Sequence, residues 1–225
     1  MTAAALAEAG FQRLRELLRG LDSVAVACSG GLDSSLLLAA ARVALGDRVL
    51  ALTVATPYMV DGEIAAAREL TVQLGVRHRV LELPMPNEIA HNPPDRCYRC
   101  KLTLFAELKS VAAEEGFTWL ADGSNQDDLA DYRPGMRALR ELDIRSPLLE
   151  ARLGKAEIRR YARALNLPVW DKPASACLLT RLPHGTEVDL EQLRRVEAAE
   201  QALRALGFNT VRVRCHADLA RIELD

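Results

Sequence analysis

Apolar and polar positions alternate along this chain in blocks, and the blocks change period in a regular order. Val24-Ala-Val-Ala-Cys28 is a short apolar run of small and β-branched residues, the pattern of a strand buried on both faces. Ser29-Gly-Gly-Leu-Asp-Ser34 interrupts it, and an apolar run from Leu36 to Ala44 then reads as a helix. Residues Arg48 to Val54 predict a second strand, Asp61 to Leu74 a helix capped by Asp61 and stopped by Gly75, and Arg77 to Leu83 a third strand. A helix of period 3.6 follows the Cys97 region as far as Glu115, and Thr118 to Ala121 predicts a fourth strand. Before the first strand, Ala3 to Arg19 has helical spacing with Gly20 as its stop. Strands alternating with helices imply a parallel sheet with right-handed crossovers and helices on both faces, a doubly wound α/β fold.

The second half is more broken. Met136 to Glu141 predicts a short helix, Ile144 to Leu148 a last core strand, and Gly154 to Leu165 a charged amphipathic helix. From Leu167 to Gly185 the prolines at 168, 173 and 183 oppose both helix and strand, so a loop is expected. Asp189 to Leu206 predicts a long helix ended by Gly207, and the alternations Val211–Arg214 and Leu219–Leu224 predict a hairpin. The expected organisation is an α/β domain over residues 1–166 and a small helix-plus-hairpin region over 167–225.

The first loop changes the picture from architecture to chemistry. Strand, glycine turn and helix aim backbone amides and a helix N-terminus at an anion. Gly30 and Gly31 permit a tight turn, and Ser29 and Ser34 add hydroxyls. No Gly-Lys-Ser/Thr follows, so this is not a Walker A loop. In parallel sheets ligands lie beyond the carboxyl ends of the strands. Two further loops fall on that edge: Thr53–Tyr58, a candidate adenine wall, and Asp122-Gly-Ser-Asn-Gln-Asp-Asp128 with Asp131, whose carboxylates suit Mg²⁺, ribose or water as well as they suit an ordinary loop.

Cysteine placement adds a second chemistry. Cys97 and Cys100 form a Cys-x-x-Cys at a helix start, where the dipole and Arg96, Arg99 and Lys101 should lower the thiol pKa values. Two thiolates are half of a metal or cluster site, or a redox pair. Cys177 lies in the proline-rich loop with Lys172, Arg181 and His184, a setting for a stabilised thiolate. Cys28 and Cys215 read as structural. On the hairpin, Arg212 and Arg214 share one face, which suits a phosphate or carboxylate and equally a solvated surface.

Composition narrows the classes. The chain has 225 residues, 49% hydrophobic and 27% charged, with a net charge of −2, so no basic field points to nucleic acid. The N-terminal residues lack the pattern of a signal peptide, and no stretch is long enough to span a bilayer, so a cytoplasmic protein with reduced, metal-bound or catalytic cysteines is expected.

Taken together, the Ser29–Ser34 loop, Cys97-Tyr-Arg-Cys-Lys101, Asp122–Asp128, Asp131-Tyr-Arg-Pro-Gly135, the Trp170–Cys177 string, Arg181-Leu-Pro-His-Gly185 and Val211–Arg214 resemble the LarE family of ATP-dependent sulfur transferases. That family lies within the ATP pyrophosphatase (PP-loop) superfamily. The resemblance implies that ATP, with Mg²⁺, adenylates a carboxylate of pyridinium-3,5-biscarboxylic acid mononucleotide, and that sulfur then displaces AMP to give a thiocarboxylate for a nickel-pincer cofactor. It implies that Ser29, Gly30, Gly31 and Ser34 hold pyrophosphate with Asp33 near Mg²⁺. It further implies that Arg212 and Arg214 hold the substrate phosphate, and that Glu200 and Arg181 lie near the substrate and sulfur site. One branch of the family uses the cysteine matching Cys177 as a sacrificial donor. The other joins it to a Cys-x-x-Cys to hold a [4Fe–4S] cluster with one open iron. Having Cys97, Cys100 and Cys177, this chain resembles the second branch.

The resemblance also implies a homo-oligomer acting on a small molecule, without nucleic acid or membrane. Family members usually extend beyond the position of Asp225, which leaves part of the expected pocket unaccounted for. Two competing classes are a PP-loop tRNA thiolase, disfavoured by the weakly acidic charge, and a non-catalytic nucleotide or cluster carrier.

Overall fold

The structure is a computed structural model and describes residues 2–173, 176–208, 210–216 and 219–224. The N-terminal helical stretch is broken into α1 (Thr2–Leu6) and α2 (Ala9–Arg19). In α2 the residues Phe11, Leu14 and Leu18 recur at helical spacing and are buried. Then β1 (Val24–Ala27), α3 (Leu32–Leu45), β2 (Val49–Ala55), α4 (Asp61–Leu74), β3 (Arg77–Glu82), α5 (Arg96–Glu114) and β4 (Leu120–Ala121) follow in the predicted alternation. The N-cap position of α4 is Val60 rather than the expected Asp61; Gly75 ends the helix in the left-handed conformation as expected.

The sheet order is β3-β2-β1-β4, all parallel. Successive β1 residues face opposite layers: Val24 and Val26 join the core with α2, α3, Ile158 and Tyr161, whereas Ala25 joins the core with α5. The strand that carries the glycine loop is therefore central, with its neighbours reached in opposite directions from it. That is the switch point where such sheets open a crevice.

Beyond β4 come α6 (Gly135–Glu141), α7 (Pro147–Glu150) and α8 (Lys155–Ala164). The expected strand Ile144–Leu148 is reduced to a single parallel bridge between Ala121 and Arg145. Pro147 has no N–H to extend the ladder, and its fixed φ starts α7 instead.

After α8 the chain runs as a loop containing a 3₁₀ turn, Leu178–Arg181, before α9 (Leu190–Ala205) and the antiparallel hairpin β5 (Val211–His216) and β6 (Leu219–Leu224). Asp189 caps α9 by accepting from the Glu191 amide. The 3₁₀ turn is buried against Tyr58, Ile89, Val188 and Leu193, so residues on both sides of position 166 share one apolar cluster. Among the described residues no helix is long and apolar enough to cross a membrane.

Candidate active site

The β1–α3 turn has the arrangement its sequence predicts. Ser34 Oγ accepts from the Ser29 amide and lies 3.2 Å from Ser29 Oγ, while Ser29 Oγ accepts from the Gly31 amide at 3.4 Å. Gly31 is the N-cap of α3 and brings no side chain to cap the helix. The first amides of a 14-residue helix are thus left for another acceptor.

The two glycines have different reasons to be glycine. Gly30 has φ +71°, and a Cβ there would fall 2.5 Å from the Glu63 carbonyl oxygen in α4. A Cβ on Gly31 would meet only Ser29 Oγ, at 3.4 Å, so no protein atom demands glycine there and the space above it is open. From the other side Gly123, next to Asp122, presses on the backbone of Asp33 and Ser34: its Cβ would be 2.9 Å from the Ser34 amide nitrogen.

Asp33 lies in the first turn of α3. Its Oδ2 is ion-paired with Lys155 at the start of α8, and its Oδ1 is buried without a partner. Burial pushes its carboxyl up, against the opposing pull of Lys155. Lys172 Nζ donates to the Gly30 carbonyl at 3.1 Å, so a second lysine reaches the loop from the Cys177 segment. Beyond β2 and β3 a cavity of about 340 Å³ is lined by Ala55, Thr56, Pro57, Glu82, Leu83 and Pro84, where an adenine wall was expected. A larger cavity of about 500 Å³ lies away from this edge, against α2 and α7.

Most carboxylates of the Asp122–Asp131 loop are occupied by the fold. Asp122 accepts from Ser124 and Ser146, each at 2.6 Å. Asp127 accepts from the Lys155 amide at the start of α8. Asp128 accepts from the Asn125 amide in a capping box and pairs with Arg133 at 3.0 Å. Among the described residues no group of three His, Cys, Asp or Glu side chains is gathered tightly enough for a single metal ion.

Cys97, exposed, and Cys100, half-buried, open α5; Cys177, exposed, precedes the 3₁₀ turn. Tyr58, at the exit of β2, connects the two segments. Its hydroxyl is 3.2 Å from Cys100 Sγ, and its carbonyl accepts from the Leu178 amide. The three thiols are close enough to perturb one another. The expected lowering of the thiol pKa values is not found at Cys100 or Cys177. Burial raises Cys100 more than Tyr58, Lys101 and Arg96 lower it, and Cys177 is pushed up to about 12, first by desolvation. Cys177 is exposed, while Leu178 and Leu179, which follow it, are buried. Ala174 and Ser175, within the Trp170–Cys177 string, lie outside the described residues.

Arg181 and Glu200 form a buried bidentate pair at 2.8 and 3.1 Å, with side chains 3% and 1% exposed. Arg204 and the Val213 amide also donate to Glu200. Burial alone would raise the Glu200 carboxyl; Arg181, the Val213 amide and Arg204 outweigh it and hold it below the ordinary range. Arg214 pairs with Glu223 and donates to the Thr180 carbonyl, whereas the side chain of Arg212, half-buried on the same face, makes no hydrogen bond or ion pair among the described residues. Lys155 is a residue the sequence did not single out, and Lys172, Tyr58 and Arg96, named there only as neighbours of the cysteines or of the second strand's exit, make contacts it did not foresee. One signal was available: Lys155 and Arg96 each start a helix, where a cation opposes the dipole.

The central-strand loop, its uncapped helix and the crevice at the sheet's carboxyl edge define an ATP-using α/β enzyme of the PP-loop class. The family described as queuosine biosynthesis protein QueC matches residues 23–93. An uncharacterized protein of Synechocystis sp. is 42% identical over 96% of this chain and 82% of its own length. The pyridinium-3,5-bisthiocarboxylic acid mononucleotide synthase of Lactiplantibacillus plantarum is 40% identical over 92% of this chain and 76% of its own. An uncharacterized protein of Methanocaldococcus jannaschii is 32% identical over 90% and 77%. The chain belongs to the LarE family and is an ATP-dependent sulfur transferase.

Proposed function

We propose that this enzyme adenylates a carboxylate of pyridinium-3,5-biscarboxylic acid mononucleotide and replaces one carboxylate oxygen by sulfur, supplying a nickel-pincer cofactor. The observation that carries the reading is the 40% identity, over 92% of the chain, to a synthase of the bisthiocarboxylic acid product. The geometry supports it: Tyr58 ties both cysteine segments to the same sheet edge as the loop, and Lys172 ties the Cys177 segment to Gly30.

A carboxylate is a poor electrophile, and adenylation makes it a good one. A substrate carboxylate oxygen attacks the α-phosphorus of ATP, and the bond to the bridging oxygen breaks as pyrophosphate leaves. The open space at Gly31, the α3 amides and the Ser29 and Ser34 hydroxyls suit that departing anion, with Gly30 shaping the turn. The orphan Oδ1 of Asp33 suits Mg²⁺. A sulfur nucleophile then adds to the acyl carbon, and AMP leaves with the carbon–oxygen electron pair. Arg212 is available for the substrate phosphate. Arg214 can join it only by loosening its bond to Glu223, and Arg181 and Glu200 act by holding the segment after Cys177 against α9 and β5.

The donor set is three thiols, and the family resemblance supports a [4Fe–4S] cluster held by Cys97, Cys100 and Cys177, whose three thiolates would leave one iron open. Bound there, it would supply sulfur from an iron that lacks a protein ligand. The exposure of Cys177 favours a second reading, in which that residue gives up its own sulfur and becomes dehydroalanine. Intact-mass analysis after turnover separates them: an unchanged chain supports the cluster, and loss of the Cys177 sulfur supports sacrifice. AMP formation with the mononucleotide but not with bulk tRNA tests the substrate class. The family resemblance further supports a cytoplasmic homo-oligomer, divided near position 166 into a nucleotide domain and a sulfur-transfer region.

A further inference from the structure

Arg96 is a buried cation without a counter-ion among the described residues. It opens α5 beside Cys97 and is only 9% exposed. Asp95, its neighbour in sequence, pairs with Arg99 instead, and among the described residues no carboxylate pairs with Arg96. Its one side-chain hydrogen bond runs from Nη1 to His184 Nδ1 at 3.0 Å, and Nε is buried with no partner. Because guanidinium only donates, His184 Nδ1 is the acceptor and brings no negative charge. Buried charges are ordinarily paired, so an unpaired guanidinium marks a place where an anion is missing. It stands next to Cys97 at the start of α5, and its guanidinium reaches His184 in the segment that follows Cys177, which puts the missing anion between the two cysteine segments.

We propose that Arg96 binds a carboxylate of the substrate and holds it beside the cysteines. The inference rests on the reading above, in which an acyl carbon must be presented to sulfur at these cysteines. A pyridine dicarboxylate has one carboxylate under activation and a second that stays anionic. A guanidinium matches the second in charge and in its two-oxygen geometry, and so fixes the ring with the activated carbonyl toward the sulfur.

The test uses two alkylating agents of similar size, iodoacetate, which is a carboxylate, and neutral iodoacetamide. The ratio of their rates at each of Cys97, Cys100 and Cys177 cancels differences in thiol access and ionisation. In the protein free of both substrate and iron–sulfur cluster, the iodoacetate-to-iodoacetamide ratio at one or more of these cysteines should exceed that of a free, uncharged thiol several-fold. Pyridine-3,5-dicarboxylate should slow iodoacetate there. Arg96→Gln should bring the ratio down to the free-thiol value and abolish the protection, and Arg96→Lys should keep both in part. A wild-type ratio no higher than the free thiol overturns the proposal without any variant. So does an equal fall in Arg99→Gln, which removes an exposed, Asp95-paired arginine from the same helix turn. Neither ATP nor sulfur transfer enters the measurement. A protein that makes no thiocarboxylate can still show the carboxylate preference, and one that makes it can fail to show it.

Discussion

Glu200→Gln removes one charge from a side chain that accepts four hydrogen bonds from three groups. The carboxylate is 1% exposed, takes two bonds from Arg181 at 2.8 and 3.1 Å, one from Arg204 at 2.8 Å and one from the Val213 amide at 3.0 Å. The amide can keep acceptor contacts through one oxygen only, and its nitrogen then faces a guanidinium. Arg181, 3% exposed, is left as a buried charge without its partner. Breaking one member of such a pair costs about 3–5 kcal/mol. At about 2–4 °C per kcal/mol for a chain of this size, the melting temperature should fall by roughly 10 °C. Thermal and urea unfolding measure it, and the double variant Arg181→Met with Glu200→Leu should cost clearly less than the two single changes added. The pH dependence has a definite sign. Folding lowers the Glu200 carboxyl, so its contribution is whole above the ordinary value of 4.5 and is lost as pH falls through the lower folded value. The Gln variant should lack that acid-side loss. A Gln variant as stable as wild type, or a strictly additive double variant, would refute the structural role and return Glu200 to the substrate.

Asp33→Asn should abolish AMP formation with the circular dichroism spectrum unchanged, because its orphan oxygen is placed for a cation rather than for the fold; unchanged AMP production would remove Asp33 from the mechanism. Gly30→Ala should destabilise by about 1–3 kcal/mol through its positive φ and the contact with Glu63, seen as a lower urea midpoint. Gly31→Ala should unfold like wild type but bind ATP less well by calorimetry. Arg212→Ala should weaken substrate phosphate binding by about 1.5–3 kcal/mol at constant stability. Arg214→Ala should also lower the melting temperature, because it holds Glu223 and the Thr180 carbonyl.

Local pattern made the first half of the chain readable. The strand–turn–helix around Gly30 is written in contiguous residues, and the order of strands and helices follows from period alone. The failures share one cause, namely information held by residues far apart. Ile144–Leu148 has strand-like content, yet Pro147 ends the ladder after one bridge. Arg181 and Glu200 meet because the 3₁₀ turn packs on α9, and Asp33 meets Lys155 across 122 positions. Nearby basic residues suggested low thiol pKa values, but burial, invisible in the local sequence, reverses the direction at Cys100 and Cys177. The three cysteines were recognisable as a set; that Tyr58 links them was not, because its phenol contacts one segment and its carbonyl the other.

The central claim is that ATP cleavage to AMP is coupled to sulfur entering a carboxylate. Its most direct test is mass spectrometry of the pyridinium mononucleotide after incubation with the protein, reconstituted anaerobically with iron and sulfide, and ATP with Mg²⁺. The account predicts a product in which one oxygen is exchanged for sulfur, with AMP and pyrophosphate formed in equal amount and no product when ATP is omitted. AMP formation that leaves the mononucleotide's mass unchanged, or sulfur exchange that proceeds without ATP, would contradict it.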